Sequence, residues 1–173
     1  MIDNENKVVF VHIPKTGGES ITWMIWNKII PLKDGKHFTI EQYREKYDIQ
    51  GYYCFSFVRN PYDKARSFYR YLMQHYSPHR INCSFREWVF DMYGEPKELF
   101  MPQVEFVDDT VEIFKFEDFK SSVQFLKQKI PFKRDYVHSN KSTKRIEAEL
   151  TKEIKDKIYS LYKEDFKRFG YDK

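Results

Sequence analysis

The chain of 173 residues predicts an α/β protein, one domain over 1–173 built on a mostly parallel central sheet flanked by helices. Three observations carry that class. Short apolar β-branched or aromatic runs alternate with segments of helical periodicity. The first such run breaks into a lysine and two glycines before a helical pattern begins. A second run ends in Arg59-Asn60-Pro61 immediately before the clearest helix of the sequence.

Taken in order, Val8-Val9-Phe10-Val11 has the composition of a buried strand and breaks at Pro14. Ile21, Trp23, Met24, Ile25 and Ile29 mark a helix starting at Ser20 and ending near Pro31. Leu32 to Phe38 reads as loop, and Thr39 as the N-cap of a short helix through about Tyr47. Tyr52 to Val58 is a second buried strand. Ala65, Phe68, Tyr69, Leu72, Met73 and Tyr76 then recur at helical spacing, with Lys64, Ser67, Arg70 and Gln74 on the other faces. Ser84 and Glu87 form a capping box before Trp88 and Val89. Leu99 to Val107 reads as a short helix, Val111 to Phe116 as a third strand, and Val123 to Lys129 as a helix. Thr151 caps a last helix with Ile154, Ile158, Leu161, Tyr162, Phe166 and Phe169 on one face and Gly170 as its stop.

Composition narrows the classes of partner. The 13 Tyr, 16 Phe and 3 Trp argue for a packed core and against disorder. A net charge of +4 points to no polyanion, so no nucleic-acid partner is expected. From Lys133 to Arg145, however, five basic residues face the single acid Asp135, an excess as large as that of the whole chain. A basic loop on a near-neutral protein suits a small, multiply charged ligand. Cys54 and Cys83 have no metal or redox spacing, and Cys54 sits in an apolar run as a buried thiol would. With no signal-peptide pattern and no membrane-length apolar run, the expectation is a soluble, cytoplasmic chain.

The first strand-to-helix junction has the makings of an anion site, where backbone N–H groups and the positive end of a helix dipole converge. Lys15 and the hydroxyls of Thr16 and Ser20 add charge and donors to Gly17 and Gly18. In sheets of this kind ligands bind beyond the carboxyl ends of the strands, and Lys15 and Arg59 both follow strand ends. Arg59 offers a bidentate fork, and Ser67, eight residues on, a hydroxyl for the same anion.

With these residues the chain resembles the sulfotransferases that use 3′-phosphoadenosine 5′-phosphosulfate (PAPS), in their carbohydrate-type branch. Pro14-Lys15-Thr16-Gly17-Gly18-Glu19-Ser20 is similar to that family's PKTGGxS loop. Phe55 to Tyr69 is similar to its FxFVRNPxxRxxSxY motif, with Lys64 in place of the usual arginine. Phe116-Glu117-Asp118, His138-Ser139-Asn140-Lys141-Ser142 and Tyr162 to Tyr171 resemble three further segments, in the family's order. The resemblance implies a three-layer, P-loop-like fold and transfer of a sulfuryl group from PAPS to a hydroxyl, on a carbohydrate, releasing adenosine 3′,5′-bisphosphate (PAP). It implies no metal.

In the same terms Lys15 meets the oxygen bridging phosphate and sulfate. Thr16, Gly17, Gly18, Glu19 and Ser20 surround the 5′-phosphate, Arg59 and Ser67 hold the 3′-phosphate, and Asn140, Lys141, Ser142 and Arg145 lie over the nucleotide. The general base stays open between His37, in Lys36-His37-Phe38-Thr39, and Glu19, whose position is small in many relatives. His12, placed within the first strand, reads as structural. Two other functions compete: a nucleotide or phosphosugar kinase with a degenerate phosphate loop, and a non-catalytic binder of PAPS or PAP. The kinase P-loop puts its lysine after the glycines; here Lys15 precedes them.

Overall fold

The computed structural model describes residues 1–27, 35–75, 83–94, 100–135 and 146–173. Elements follow in the order β1 (Ile2–Asp3), β2 (Val8–Val11), α1 (Gly18–Trp26), α2 (Ile40–Lys46), β3 (Tyr53–Val58) and α3 (Pro61–His75). Then come α4 (Phe85–Asp91), a 3₁₀ turn (Gln103–Glu105), β4 (Glu112–Lys115), a second 3₁₀ turn (Phe116–Asp118), α5 (Phe119–Lys129) and α6 (Lys152–Phe169). They form two compact units, Met1–Arg59 with Gln103–Ser139 and Asn60–Pro102 with Asn140–Lys173.

The first unit is α/β. Its open sheet has the order β1-β2-β3-β4, with β2, β3 and β4 parallel and β1 antiparallel on the edge. The register pairs Phe10 with Phe55 and Phe57 with Phe114. One sheet face, carrying Val8, Phe10, Phe55 and Phe57, packs on Ile21, Met24 and Ile25 of α1 and on Phe119, Val123 and Leu126 of α5. Each such side chain, removed from water, contributes roughly 1.5–3 kcal/mol. That burial fixes the orientation of α1 against β2, and hence the loop between them.

Sequence periodicity placed most elements and missed some boundaries. Strand β1 went unseen because two residues show no period; Asp3 closes its turn by accepting hydrogen bonds from the backbone and side-chain amides of Asn6 at 3.0 Å. Helix α1 starts at Gly18, ahead of its apolar run, and stops at Asn27, whose φ of 53° is left-handed and whose N–H bonds Trp23 O. The expected extension to Ile29 and Pro31 lies outside the described residues. Helix α5 also starts early, at Phe119, whose side chain joins the core while Ser121 and Ser122 donate to Asp118 O. The third strand is correspondingly shorter than Val111 to Phe116. Within Leu99 to Val107, where a short helix was expected, Leu99 lies outside the described residues, Phe100 is helical and Gln103–Glu105 form a 3₁₀ turn.

The second unit is helical around Trp88, with α3, α4 and α6 contributing Phe68, Tyr69, Leu72, Val89, Ile154, Ile158 and Phe166. Asn60 starts α3, its side chain accepting from Tyr62 N at 2.9 Å and its carbonyl from Lys64 N, with Pro61 at the first helical position. Both halves of the Ser84–Glu87 capping box form. Thr151 caps α6, and Gly170 ends it at φ 63°. Lys64 departs from the expected solvent-facing position: it is 2 % exposed, with Nζ 3.4 Å from Met101 O and over the Tyr162 ring. Burial lowers its pKa to about 8 against the opposing pull of the buried Asp165. Both cysteines are free thiols, Cys54 buried and Cys83 half-buried. Among the described residues, no helix is long and apolar enough to cross a membrane.

Candidate functional site

Beyond the end of β2 the chain runs through His12 and Ile13 into a tight loop. Lys15 takes a left-handed φ of 67°, which costs a side-chain-bearing residue about 1–2 kcal/mol. The loop around it sustains that strain. Thr16, fully buried, donates its hydroxyl to Ile13 O at 2.9 Å, and Gly17 continues the left-handed path at φ 84°. Ser20 N and Ile21 N then bond Gly17 O as α1 begins. Gly17 gives this end of the helix no side-chain cap, and the acidic Glu19 stands in its first turn, where the helix dipole favours negative charge.

Both glycines are sterically required. A Cβ on Gly17 would stand 2.7 Å from Phe116 Cε2, and one on Gly18 only 2.0 Å from His12 Cδ2. The His12 ring therefore lies against the backbone of the loop. Its burial, with His37, Lys36 and Lys15 nearby, holds its pKa well below the ordinary imidazole value, so it is neutral. The sequence placed His12 within the first strand; it lies one residue past the strand's end and forms part of the loop's wall.

Arg59 follows β3 at the same end of the sheet. Its Nη1 donates to Lys15 O at 3.3 Å, and its guanidinium lies 4.4 Å from the centre of the Phe116 ring. Gln103, fully buried, clasps its main chain: Arg59 N donates to Oε1 at 2.9 Å and Nε2 donates to Arg59 O at 2.8 Å. Lys15 is itself largely buried. Desolvation brings its pKa down to about 8, Arg59 and Lys36 pushing the same way and Glu19 opposing.

A turn closed by Phe38 N→Gly35 O at 3.2 Å supplies the rest, with Lys36 and His37 at its centre. Gly35 has φ 72°, and Phe38 stacks edge-on against Tyr43 of α2. That helix is held by a complete Thr39–Gln42 capping box and by Ile40 N→Phe106 O. Lys36 Nζ reaches Glu19 Oε1 in the first turn of α1 at 2.9 Å. His37 Nδ1 lies 2.7 Å from His12 O. A carbonyl only accepts, so Nδ1 carries the proton and Nε2 keeps its lone pair. Burial, opposed by that hydrogen bond, lowers the His37 pKa to about 4.

The first unit therefore gathers Lys15, Thr16, Gly17, Gly18, Glu19, Ser20, His37 and Arg59, the loop and turn residues singled out in the sequence. Ser67 belongs to the second unit, part-buried on α3. Asn140, Lys141, Ser142 and Arg145 lie outside the described residues. Three contributors escaped sequence reading. Gln103 and Phe116 act through a backbone clasp and a ring face that no spacing encodes. Lys36 was visible beside His37, but nothing marked its ion pair with Glu19. No group of acidic, histidine or cysteine side chains suited to a metal occurs among the described residues.

No family model, curated protein or solved structure gives a significant match to the chain.

Proposed function

We propose that this chain is a PAPS-dependent sulfotransferase that moves a sulfuryl group to an acceptor hydroxyl and releases adenosine 3′,5′-bisphosphate. The observation carrying the reading is the left-handed Lys15, set ahead of both glycines and joined through its carbonyl to Arg59. Two cations and an uncapped helix end thus meet at one loop, and the lysine stands on the strand side of the glycines. The resemblance of the sequence motifs supplies the rest: the donor, a carbohydrate as acceptor class, and the three-layer fold of which the mostly parallel sheet is the coarser part.

In this reading the acceptor oxygen attacks sulfur and forms a new S–O bond while its proton passes to a base. The bond from sulfur to the bridging oxygen breaks, and its electron pair stays on that oxygen as part of the departing phosphate. Lys15 meets the charge gathering there, and the end of α1 supports it. His37 is the base. Its Nε2 holds a lone pair because Nδ1–H is committed to His12 O, whereas the Glu19 carboxylate is paired with Lys36. Arg59, stacked on Phe116 and clasped by Gln103, is a preorganised fork for the 3′-phosphate.

Thermal stabilisation tests the reading, since a ligand bound by the native state alone raises the melting temperature. Adenosine 3′,5′-bisphosphate is expected to stabilise the chain more than 5′-AMP or ATP with magnesium. Stabilisation by ATP–magnesium without the bisphosphate would give the site to a kinase. Binding of the bisphosphate with no sulfate transfer to any of a panel of hydroxyl acceptors would leave a non-catalytic binder.

A further inference from the structure

The segment from Gln103 to Thr110 returns the chain to the sheet ahead of β4 and grips two elements on the way. At its start Gln103 holds the main chain of Arg59 through the two hydrogen bonds already described. Phe106 then donates its N–H to Gln103 O at 3.1 Å, and its carbonyl accepts from Ile40 N–H, at the first residue of α2, at 2.9 Å. At the far end stands Arg44, in the last turn of α2. Its Nη1 donates to Asp108 Oδ2 and to Glu41 Oε1, both at 2.6 Å, and its Nη2 to Thr110 Oγ1 at 2.7 Å. Asp108 Oδ1 accepts from the N–H and the hydroxyl of Thr110 at 2.9 and 2.6 Å, so Arg44 grips a turn that is itself fixed. An ion pair this exposed returns little energy alone, but a guanidinium fork on two acceptors of one turn sets an orientation. The orientation matters because α2 has seven residues, too few to hold a helix unaided. His37 stands three positions before Ile40, in the turn that α2 braces.

We propose that Arg44, through Asp108 and Thr110, is a positioning residue for the His37 turn, and that the Gln103–Thr110 segment couples the placement of that turn to the seat of Arg59. This role rests on the sulfotransferase reading, in which Arg59 takes the 3′-phosphate and His37 the acceptor proton. Arg44, Asp108 and Thr110 touch no substrate in it; they hold the helix that holds the base. The segment covers two amides, Arg59 N–H and Ile40 N–H, and lifting it releases both, so the two behave as one cooperative unit. A nucleotide that engages Arg59 favours the closed segment. By linkage the same free energy favours the closed position of α2, and the base is in place when the donor is bound.

Hydrogen–deuterium exchange on the full chain, with and without adenosine 3′,5′-bisphosphate, tests the coupling, and sulfate-transfer kinetics test the positioning. In the wild type the bisphosphate is expected to slow exchange at Arg59 N–H and Ile40 N–H by the same factor. Arg44→Met should speed exchange at Ile40 by about tenfold, the loss of charge-assisted hydrogen bonds, and leave Leu126 in α5 unchanged. It should lower kcat by about tenfold while the KM for PAPS and the affinity for the bisphosphate stay within about twofold. Arg44→Lys should recover part of the loss in kcat. Slowing at Arg59 alone would overturn the coupling. Equal acceleration at Ile40 and Leu126, or an unchanged kcat, would reduce Arg44 to a general stabiliser and overturn its positioning role. A wild-type chain that binds neither the bisphosphate nor PAPS would overturn the sulfotransferase reading itself. If Arg44→Met fails to fold, Thr110→Val removes one acceptor from an exposed residue: faster exchange at Ile40 with a lower kcat supports the role, and no change in either overturns it.

Discussion

At the scale of single residues, the site depends on what is absent as much as on what is present. Gly18 has no Cβ because the His12 ring occupies the place where it would be, 2.0 Å away. Gly18→Ala must displace that ring, and with it the contact of His12 with His37. The expected destabilisation is about 1–3 kcal/mol, the usual range for overpacking, read from urea denaturation. The same change made in His12→Ala should cost much less, since the clashing atoms are gone; equal costs in both backgrounds would show that the close approach is not the cause. The glycines and Lys15 were legible because a strand, a basic residue and a glycine pair stand in a recognisable order. The reason for Gly18 was not, because it lies in a side chain six positions earlier that sequence reading assigned to a strand.

At the scale of elements, the cradle is a strand end, a helix start and a braced turn, and a buried glutamine joins this assembly to the returning chain. Gln103 acts as a strand would, accepting from Arg59 N–H and donating to Arg59 O. Gln103→Leu keeps the volume and removes both partners, leaving two backbone groups unsatisfied at about 1–3 kcal/mol each. The variant should lose several kcal/mol of stability by chemical denaturation and, on the proposed function, weaken bisphosphate binding through Arg59. Gln103→Glu, which can still accept from Arg59 N–H, should fall between them. Strands β2 and β3 and helix α3 were legible because their apolar residues recur with the period of the element. Strand β1 and the start of α5 were not, since two residues carry no period and the first turn of α5 is half polar, with Ser121 and Ser122 bonding back to Asp118 O. Lys64 shows the complementary failure. A charge on a helix reads as surface, and only the packing of the second unit shows it to be core.

At the scale of the molecule, the histidines tie stability to acidity. His37 titrates near pH 4 in the folded chain against about 6.5 when unfolded, and burial displaces His12 in the same direction. Both are therefore neutral when folded, and below pH 6.5 the unfolded chain binds the additional protons. Their contribution is fully present above that pH and declines as acidity increases, with a slope approaching about 1.4 kcal/mol per pH unit for each group. Urea denaturation of the wild type should show stability falling between pH 7 and pH 5, and His37→Gln should reduce that slope. An unchanged slope would mean that His37 is not held neutral by the fold.

The Gln103 clasp has a consequence in time as well as in energy. It joins residues 44 positions apart, so it forms only after the returning segment has met β3. The Arg59 amide proton is held by a side chain at the mouth of the sheet, and it exchanges with solvent only when that meeting is undone. Hydrogen–deuterium exchange at this one amide thus counts how often the Gln103 clasp on Arg59 opens. A ligand that engages Arg59 should slow the count by the factor with which it favours the closed state.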